Sequence, residues 1–220
     1  MSLEAIEIET GPNPTASCIV LHGLGADGND FVPICNELDL RAIGAVRFVF
    51  PHAPVRPVTI NGGYEMRAWY DILGAEIDRR EDEAGLRQSQ AAVAALVARE
   101  RARGVSAART VLAGFSQGCA VALLAGLRHP ECLAGLVGLS GYLPLADKTL
   151  AERSAANAAV PIFLAHGRSD PVIPIARAVT SRDALLALGH PVEWHEYAMA
   201  HSVCNEEIGD LNRWLLRVLA

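Results

Sequence analysis

The sequence lacks the signals of disulfide-rich, zinc-binding and membrane-spanning proteins. Its five cysteines are scattered, odd in number and form no Cys-x-x-Cys pair, which favours a reducing compartment and no metal site. The acidic N-terminus has no signal-peptide pattern, and a polar turn interrupts the most apolar window, residues 111–127. No basic amphipathic helix is available for docking on lipid. We therefore expect a cytoplasmic protein that binds no metal and has no stable membrane association.

Excess positive charge, linkers and repeats are also missing. The formal net charge is -6, which argues against a nucleic-acid partner because such proteins present basic surfaces. No charge block, Pro/Ser-rich stretch, repeat or low-complexity segment divides the 220 residues, of which 51% are hydrophobic. This length and apolar content suit one domain with a substantial core. We expect residues 1–220 to form that single domain.

Short apolar runs alternate with helix-compatible segments along the chain. This alternation predicts an α/β fold in which helices cover both faces of a mainly parallel sheet, with ligand chemistry beyond the carboxyl ends of the strands. Residues 51–71 read as a long connection, of a length that is often functional. We expect strands at 1–9, 17–22, 46–50, 133–140, 160–166 and 192–197, and a further strand that begins at Thr110. Helices are expected at 29–38, 83–103, 175–188 and 204–219.

A Gly-x-Ser-x-Gly turn follows the apolar run that begins at Thr110. Gly114 and Gly118 lack Cβ atoms, so a strand and a helix can approach closely while Ser116 is held in a strained turn with its hydroxyl exposed. Gln117 then opens a helix, where a backbone N–H without an intrahelical partner can face a developing negative charge. The bare pattern is short, and an ordinary βα turn with a solvated serine is the alternative.

A serine hydroxyl needs a positioned base and a carboxylate that orients the base. Among the seven histidines, only His201 lies in a loop after the last predicted strand, near the same sheet edge as Ser116. Asp170 follows the strand at 160–166 in a segment stiffened by prolines, although it is also placed to cap the next helix. Asp147, after the preceding strand, is the alternative carboxylate. The order Ser116, Asp170, His201 is that of nucleophile-elbow enzymes.

The loop from Gly23 to Gly28 literally matches Gly-x-Gly-x-x-Gly, the dinucleotide fingerprint. A dinucleotide site also needs an acidic residue at the end of the next strand, and that strand ends in Pro51-His52-Ala53-Pro54 instead. We therefore expect no cofactor. The loop is better suited to supply the second N–H of an oxyanion hole, through Leu24. For His22, ordering this loop is favoured over proton transfer.

Seven motifs that follow one another in fixed order are Leu21-His22-Gly23-Leu24-Gly25-Ala26-Asp27-Gly28, Pro51-His52-Ala53-Pro54, Val58-Thr59-Ile60-Asn61-Gly62-Gly63, Arg67-Ala68-Trp69-Tyr70-Asp71-Ile72, Gly114-Phe115-Ser116-Gln117-Gly118, His166-Gly167-Arg168-Ser169-Asp170 and His201-Ser202. Together they resemble the bacterial carboxylesterases, close relatives of the acyl-protein thioesterases within the α/β-hydrolase fold. The resemblance covers residues 17–215.

The resemblance implies roles for particular residues. It implies Ser116 as the nucleophile with Asp170 and His201 as its partners, and the N–H groups of Leu24 and Gln117 as the oxyanion hole. The substrate-binding residues that it implies are Trp69, Leu73 and Val172. The loop aromatics Tyr64, Trp69 and Tyr70 could line a substrate cleft. The alternative is that they pack the loop onto the body of the protein. One departure from the family is Cys119, where a second glycine is usual; we expect its side chain to pack against the sheet.

The chain is thus predicted to be a serine carboxylesterase that hydrolyses short to medium acyl esters through an acyl-enzyme with a Ser-His-Asp triad. An acyl-protein thioesterase or lysophospholipase is the alternative on the same site. The expected partner is a small-molecule ester or thioester, and relatives of this kind are often homodimers. A peptidase stays open, whereas a non-catalytic binding module is disfavoured because all three catalytic residue types are present.

Overall fold

The computed structural model of the chain describes residues 3–74 and 81–220. Seven strands form the central sheet, and a separate two-stranded hairpin lies between the third and sixth strands in sequence. The strands are β1 (Ala5–Glu9), β2 (Ala16–Leu21), β3 (Val46–Pro51), β4 (Val55–Val58), β5 (Tyr64–Arg67), β6 (Thr110–Phe115), β7 (Gly135–Leu139), β8 (Ile162–Gly167) and β9 (Val192–Tyr197). The helices are α1 (Ile34–Glu37), α2 (Glu83–Ala102), α3 (Gln117–Arg128), α4 (Ala146–Glu152), α5 (Ile175–Ala187) and α6 (Asn205–Val218).

The strand order is β1-β3-β2-β6-β7-β8-β9. All neighbouring strands are parallel except β1, which pairs antiparallel with β3 at one edge. This is the α/β-hydrolase arrangement, and the prediction of a mainly parallel sheet is confirmed. Because the six parallel strands run the same way, the segments that follow β6, β8 and β9 lie at one edge of the sheet.

The central strands are buried on both faces, and alternate residues serve two separate hydrophobic clusters. In β2, Ile19 and Leu21 pack with α2 and α3, whereas Cys18 and Val20 pack with α1 and α6 on the other face. This alternation has the two-residue period of a strand. Apolar side chains on every second position therefore secure helices to each face, which explains why these strands read as unbroken apolar runs.

Two expectations about local structure are wrong. The predicted helix at 29–38 is instead a 3-10 turn, Gly28–Phe31, followed by the single turn α1. Pro33 lies between them and lacks an amide hydrogen, so the helical hydrogen-bond ladder is interrupted there. The connection at 51–71 contains the hairpin of β4 and β5, in which Gly62 and Gly63 have φ of 66° and 81°. Asn-Gly-Gly is a hairpin signal because such angles suit glycine.

Apart from the N-terminal strand, which begins at Ala5 and not at residue 1, the other predicted elements are confirmed to within two residues at each end. Strand β9 and the start of α2 agree with the prediction, while β7 begins two residues later than expected. The N-terminal strand lies within the predicted range 1–9, of which residues 1–2 are outside the described part of the chain. The sequence also predicts a charged, solvated turn at residues 78–83, of which residues 78–80 are likewise outside the described part of the chain.

Candidate active site

Ser116 occupies a strained turn between β6 and α3. Its φ of 55° lies in the left-handed region that residues other than glycine rarely adopt. The Ser116 amide donates to the carbonyl of Leu139 in β7 at 2.9 Å. A Cβ on Gly114 would lie 2.2 Å from the carbonyl carbon of Gly118, and one on Gly118 would lie 2.1 Å from the carbonyl oxygen of Leu21. Only glycine permits these approaches, so the Gly-x-Ser-x-Gly spacing determines where the serine stands.

A continuous series of hydrogen bonds joins three of the predicted residues. His201 Nε2 lies 2.9 Å from Ser116 Oγ, and His201 Nδ1 lies 2.7 Å from Asp170 Oδ2. Because a carboxylate only accepts, Nδ1 carries the proton and Nε2 accepts from the serine hydroxyl. The alternative carboxylate, Asp147, is exposed in the first turn of α4, and both ring nitrogens of His201 are engaged by the other two residues. The structure thus brings together Ser116, His201 and Asp170.

The Asp170 carboxylate is held from both of its oxygens. Oδ1 accepts the backbone amides of Val172 and Ile173 at 2.8 and 2.9 Å, while Oδ2 faces His201. The side chain is fully buried. Helix α5 begins five residues later with Pro174 as its N-cap, so Asp170 closes its own turn and does not cap the helix. A carboxylate with three of its acceptor sites used in this way has one orientation.

The turn after β8 is attached to the loop that carries His201. The Ser169 amide donates to the carbonyl of Met199 at 3.1 Å. A Cβ on Gly167 would lie 2.2 Å from the carbonyl oxygen of Ala200, so glycine allows the two segments to touch backbone to backbone. This contact sets the distance between the carboxylate and the imidazole.

The imidazole of His201 packs on an aromatic side chain that sequence reasoning missed. The ring of Phe115 lies 4.8 Å from it, centroid to centroid, and 5.6 Å from the ring of Phe31. Phe115 is the second residue of the Gly-x-Ser-x-Gly turn, and its position at the end of β6 directs it to this side. The sequence shows an aromatic residue next to Ser116, but its spacing does not indicate that the ring packs on His201.

His22 orders the glycine-rich loop, as the sequence favours. Its Nδ1 donates to the carbonyl of Gly23 at 2.7 Å, and its Nε2 accepts the amide of Ala53 at 3.0 Å. Burial lowers the pKa of His22 below its ordinary value. The neutral ring with its proton on Nδ1 is the form that satisfies both bonds, because a proton on Nε2 would face the Ala53 N–H.

Two backbone N–H groups near Ser116 have no acceptor within the part of the chain that the structure describes. One belongs to Leu24, whose neighbour Gly25 donates to the carbonyl of Arg67 at 2.9 Å. The other belongs to Gln117, the first residue of α3, where intrahelical acceptors are lacking. Unpartnered N–H groups at a helix start favour negative charge.

Trp69 lies beneath the site, and its substrate-binding role stays a prediction. The indole is fully buried, and its Nε1 donates to the carbonyl of His22 at 2.9 Å. The Trp69 amide donates to Oε1 of Gln117 at 2.8 Å, and Nε2 of Gln117 donates to the carbonyl of Tyr70 at 2.7 Å. The segment beneath the site is therefore fastened to both the glycine-rich loop and α3.

The other loop aromatics are divided between packing and exposure. Tyr70 is buried, and its hydroxyl lies 2.7 Å from that of Tyr142, whereas 70% of Tyr64 is exposed. Leu73 and Val172 are exposed to 43% and 59%. Their substrate-binding roles stay predictions. Both side chains expose apolar surface that an acyl chain could contact.

Cys119 packs against the sheet in space left by two glycines. A Cβ on Gly138 would lie 2.8 Å from Cys119 Sγ, and one on Gly141 would lie 2.4 Å from it. The thiol is buried, and burial raises its pKa to about 12. The prediction that the Cys119 side chain packs against the sheet is thus confirmed.

Known proteins resemble this chain over nearly its whole length. The profile of the phospholipase/carboxylesterase family matches residues 3–219. Acyl-protein thioesterase 1 of Yarrowia lipolytica is 39% identical over 216 residues, covering 96% of this chain and 95% of that protein. Acyl-protein thioesterase 1 of Schizosaccharomyces pombe is 37% identical over 210 residues, covering 93% of this chain and 91% of that protein.

A solved structure has a similar fold. Acyl-protein thioesterase 2 of Zea mays superposes with a TM-score of 0.88 at 30% identity, covering 99% of each chain. All three relatives are eukaryotic. They support the predicted family and the α/β-hydrolase fold but give no support to a bacterial origin, and their names favour the thioesterase alternative over the carboxylesterase prediction. No helix within residues 3–74 and 81–220 has both the length and the apolar character needed to cross a bilayer.

Proposed function

The chain belongs to the phospholipase/carboxylesterase family, and from that premise we propose that it removes acyl groups from proteins by hydrolysing thioester bonds. It is a serine hydrolase that acts on ester or thioester bonds, as its relatives are. The observation that carries the proposal is the series from Ser116 Oγ through His201 to Asp170, with distances of 2.9 and 2.7 Å. We assign these three residues the catalytic roles and residues 1–220 a single cytoplasmic domain.

Acylation begins at the serine oxygen. Ser116 Oγ attacks the carbonyl carbon of the acyl group while its proton passes to Nε2 of His201. The imidazolium that forms is stabilised by Asp170, which also holds the ring in the tautomer that leaves Nε2 free. Negative charge develops on the carbonyl oxygen, and the N–H groups of Leu24 and Gln117 are the donors we assign to it.

Collapse of this intermediate breaks the bond to sulfur, and the thiol leaves with a proton from His201. Water then repeats the sequence: Nε2 removes its proton, the new oxyanion forms, and Ser116 leaves with the proton returned. A thiol has a pKa of about 8.5 and an alcohol a far higher one. Expulsion of a thiolate therefore needs less proton donation than expulsion of an alkoxide. The same site should hydrolyse thioesters at least as well as it hydrolyses oxygen esters.

Hydrolysis of short to medium carboxylic esters is the second candidate, because the family's description includes carboxylesterases. The two candidates share the three catalytic residues and differ in what surrounds the acyl chain. We assign the exposed apolar side chains of Leu73 and Val172 to the border of that chain. Replacing either one with aspartate should raise KM more for long acyl groups than for short ones.

The deciding experiment compares two peptides of one sequence, acylated either on a cysteine sulfur or on a serine oxygen, each with a series of acyl lengths. The proposal predicts a higher kcat/KM for the thioester and no steep fall as the acyl group lengthens. Preference for short oxygen esters would favour the second candidate. The Ser116→Ala variant is the control, and turnover of either peptide by that variant would remove Ser116 from the mechanism.

A further inference from the structure

His166 is a buried imidazole beside the triad that the mechanism above does not use. It lies near the end of β8 and is fully buried, four residues before Asp170. Its Nε2 lies 2.8 Å from the carbonyl oxygen of Ile173 and 3.4 Å from Oδ2 of Asp170. Within the described residues its Nδ1 has no hydrogen-bond partner.

These contacts assign the proton on the ring. A carbonyl oxygen only accepts, so Nε2 must carry the hydrogen that reaches Ile173. A second proton, on Nδ1, would be buried with no acceptor among the described residues, which is unfavourable. His166 is therefore neutral with its hydrogen on Nε2, and the positive end of that N–H dipole also faces the Asp170 carboxylate.

The peptide group at Ile173 links the two residues. Its carbonyl accepts from His166, and its amide donates to Asp170 Oδ1 at 2.9 Å. The 3.4 Å approach is too long for a good hydrogen bond, but it places the N–H beside Oδ2, the oxygen that bonds His201 at 2.7 Å. His166 thus acts on one carboxylate oxygen through the turn and on the other directly.

We propose that His166 is a positioning residue that holds the Asp170 carboxylate in the orientation that His201 requires. The proposal rests on the proposed function, because it assigns a role within the same triad. When His201 takes the serine proton, its positive charge is stabilised only if the Asp170 carboxylate keeps its orientation towards Nδ1. His166 is buried and does not reach the substrate, so its loss should lower kcat and leave KM largely unchanged.

The test compares His166→Leu, which removes the donor, with His166→Gln, whose side-chain amide keeps a donor near the position of Nε2. We expect His166→Leu to lower kcat by roughly 10- to 100-fold, with KM within about threefold. The low-field proton NMR signal of the hydrogen bond between His201 and Asp170 should be lost or shifted upfield. In His166→Gln, both kcat and the signal should recover most of the way.

A folded His166→Leu variant with normal kcat and an unchanged low-field signal would overturn the proposal, even if it melted at a lower temperature. A second measurement needs no variant: nitrogen-15 shifts of the wild-type ring should show a protonated Nε2 and an unprotonated Nδ1. The opposite tautomer would overturn the proposal. The Ser116→Ala variant distinguishes failure of the proposed function from failure of the inference about His166. Turnover by that variant would contradict the proposed function, whereas the tautomer of His166 tests only this inference.

Discussion

The side-chain carbonyl of Gln117 accepts a hydrogen bond from the backbone amide of Trp69 at 2.8 Å. The residue directly after Ser116 therefore has two separate tasks. Its N–H opens α3 without an intrahelical acceptor, and its side chain secures residues 69–70 beneath the glycine-rich loop. The geometry of the nucleophile and that of the loop carrying Leu24 are coupled through this one amide.

Replacing Gln117 with methionine should remove that coupling while keeping a side chain of similar length. The Trp69 amide and the Tyr70 carbonyl would be buried without partners, which costs about 1–3 kcal/mol each in unfolding free energy. We expect urea unfolding to show a loss of roughly 2–6 kcal/mol, and kcat/KM to fall at least tenfold because the loop is no longer held. The matched control is Gln88→Met on the exposed side of α2. Equal effects of both substitutions, or normal activity in Gln117→Met, would contradict this coupling.

Glycine at 118 is required by contact, whereas glycine at 209 is not. A Cβ at 118 would lie 2.1 Å from the Leu21 carbonyl oxygen, but one at 209 would meet nothing nearer than 3.8 Å. Gly118→Ala should therefore destabilise the protein by several kcal/mol, on the order of 3 or more, and abolish activity. Gly209→Ala, within α6, should raise the unfolding free energy by about 0.5–1 kcal/mol and leave turnover unchanged. Thermal melts and ester assays on the two variants check both statements.

The central features of the site were predictable because their signals are local. The apolar run before Gly114, the two glycines around Ser116 and the apolar helix after them lie within fifteen residues of sequence. Parallel strands bring their carboxyl ends to one edge, so the predicted strands also placed Asp170 and His201 near that edge. The helix start at Gln117 and the glycine-rich loop at Leu24 indicated the two backbone donors, and the family resemblance implied the same pair.

Other features depend on contacts between distant segments and were not predictable. For Trp69, the sequence left walling a cleft and packing onto the body as alternatives. Its burial, with the indole Nε1 donating to the carbonyl of His22, depends on a residue 47 positions earlier in the sequence. Strand order likewise follows from packing: β3 lies between β1 and β2, which no pattern within any one strand reveals. The contact between His166 and Asp170 needed coordinates, because a separation of four positions in sequence does not show which way the two side chains point.

Buried histidines should make the protein sensitive to acid. Burial lowers the pKa values of His22, His129 and His190 below 6.5. A histidine whose pKa is lower when folded binds its proton more readily unfolded, so unfolding free energy is lost as pH falls below about 6.5. His190→Leu removes one such group, whose imidazole is buried. We expect this variant to lose less stability than the wild type between pH 7.5 and 5.5 in urea titrations. An identical loss would show that His190 does not contribute.

Glu207 should act in the opposite direction. Burial in the first turn of α6 raises its pKa to about 8 from 4.5. The folded state then binds this proton more readily than the unfolded state, so unfolding free energy falls as pH rises from about 4.5 to 8 and levels off above that. Relative to Glu207→Gln, which cannot ionise, the wild type should lose on the order of 4 kcal/mol between pH 5 and 8.5. Parallel pH dependence in the two proteins would contradict this assignment.

The proposed catalysis depends most on Ser116 being the nucleophile that His201 activates. The most direct test is peptide mass spectrometry after treatment with a fluorophosphonate, which reacts covalently with activated serines. We expect one adduct per chain, on Ser116, with none in Ser116→Ala and much slower labelling in His201→Ala. An adduct on a different residue, or equal labelling of the Ser116→Ala variant, would contradict it.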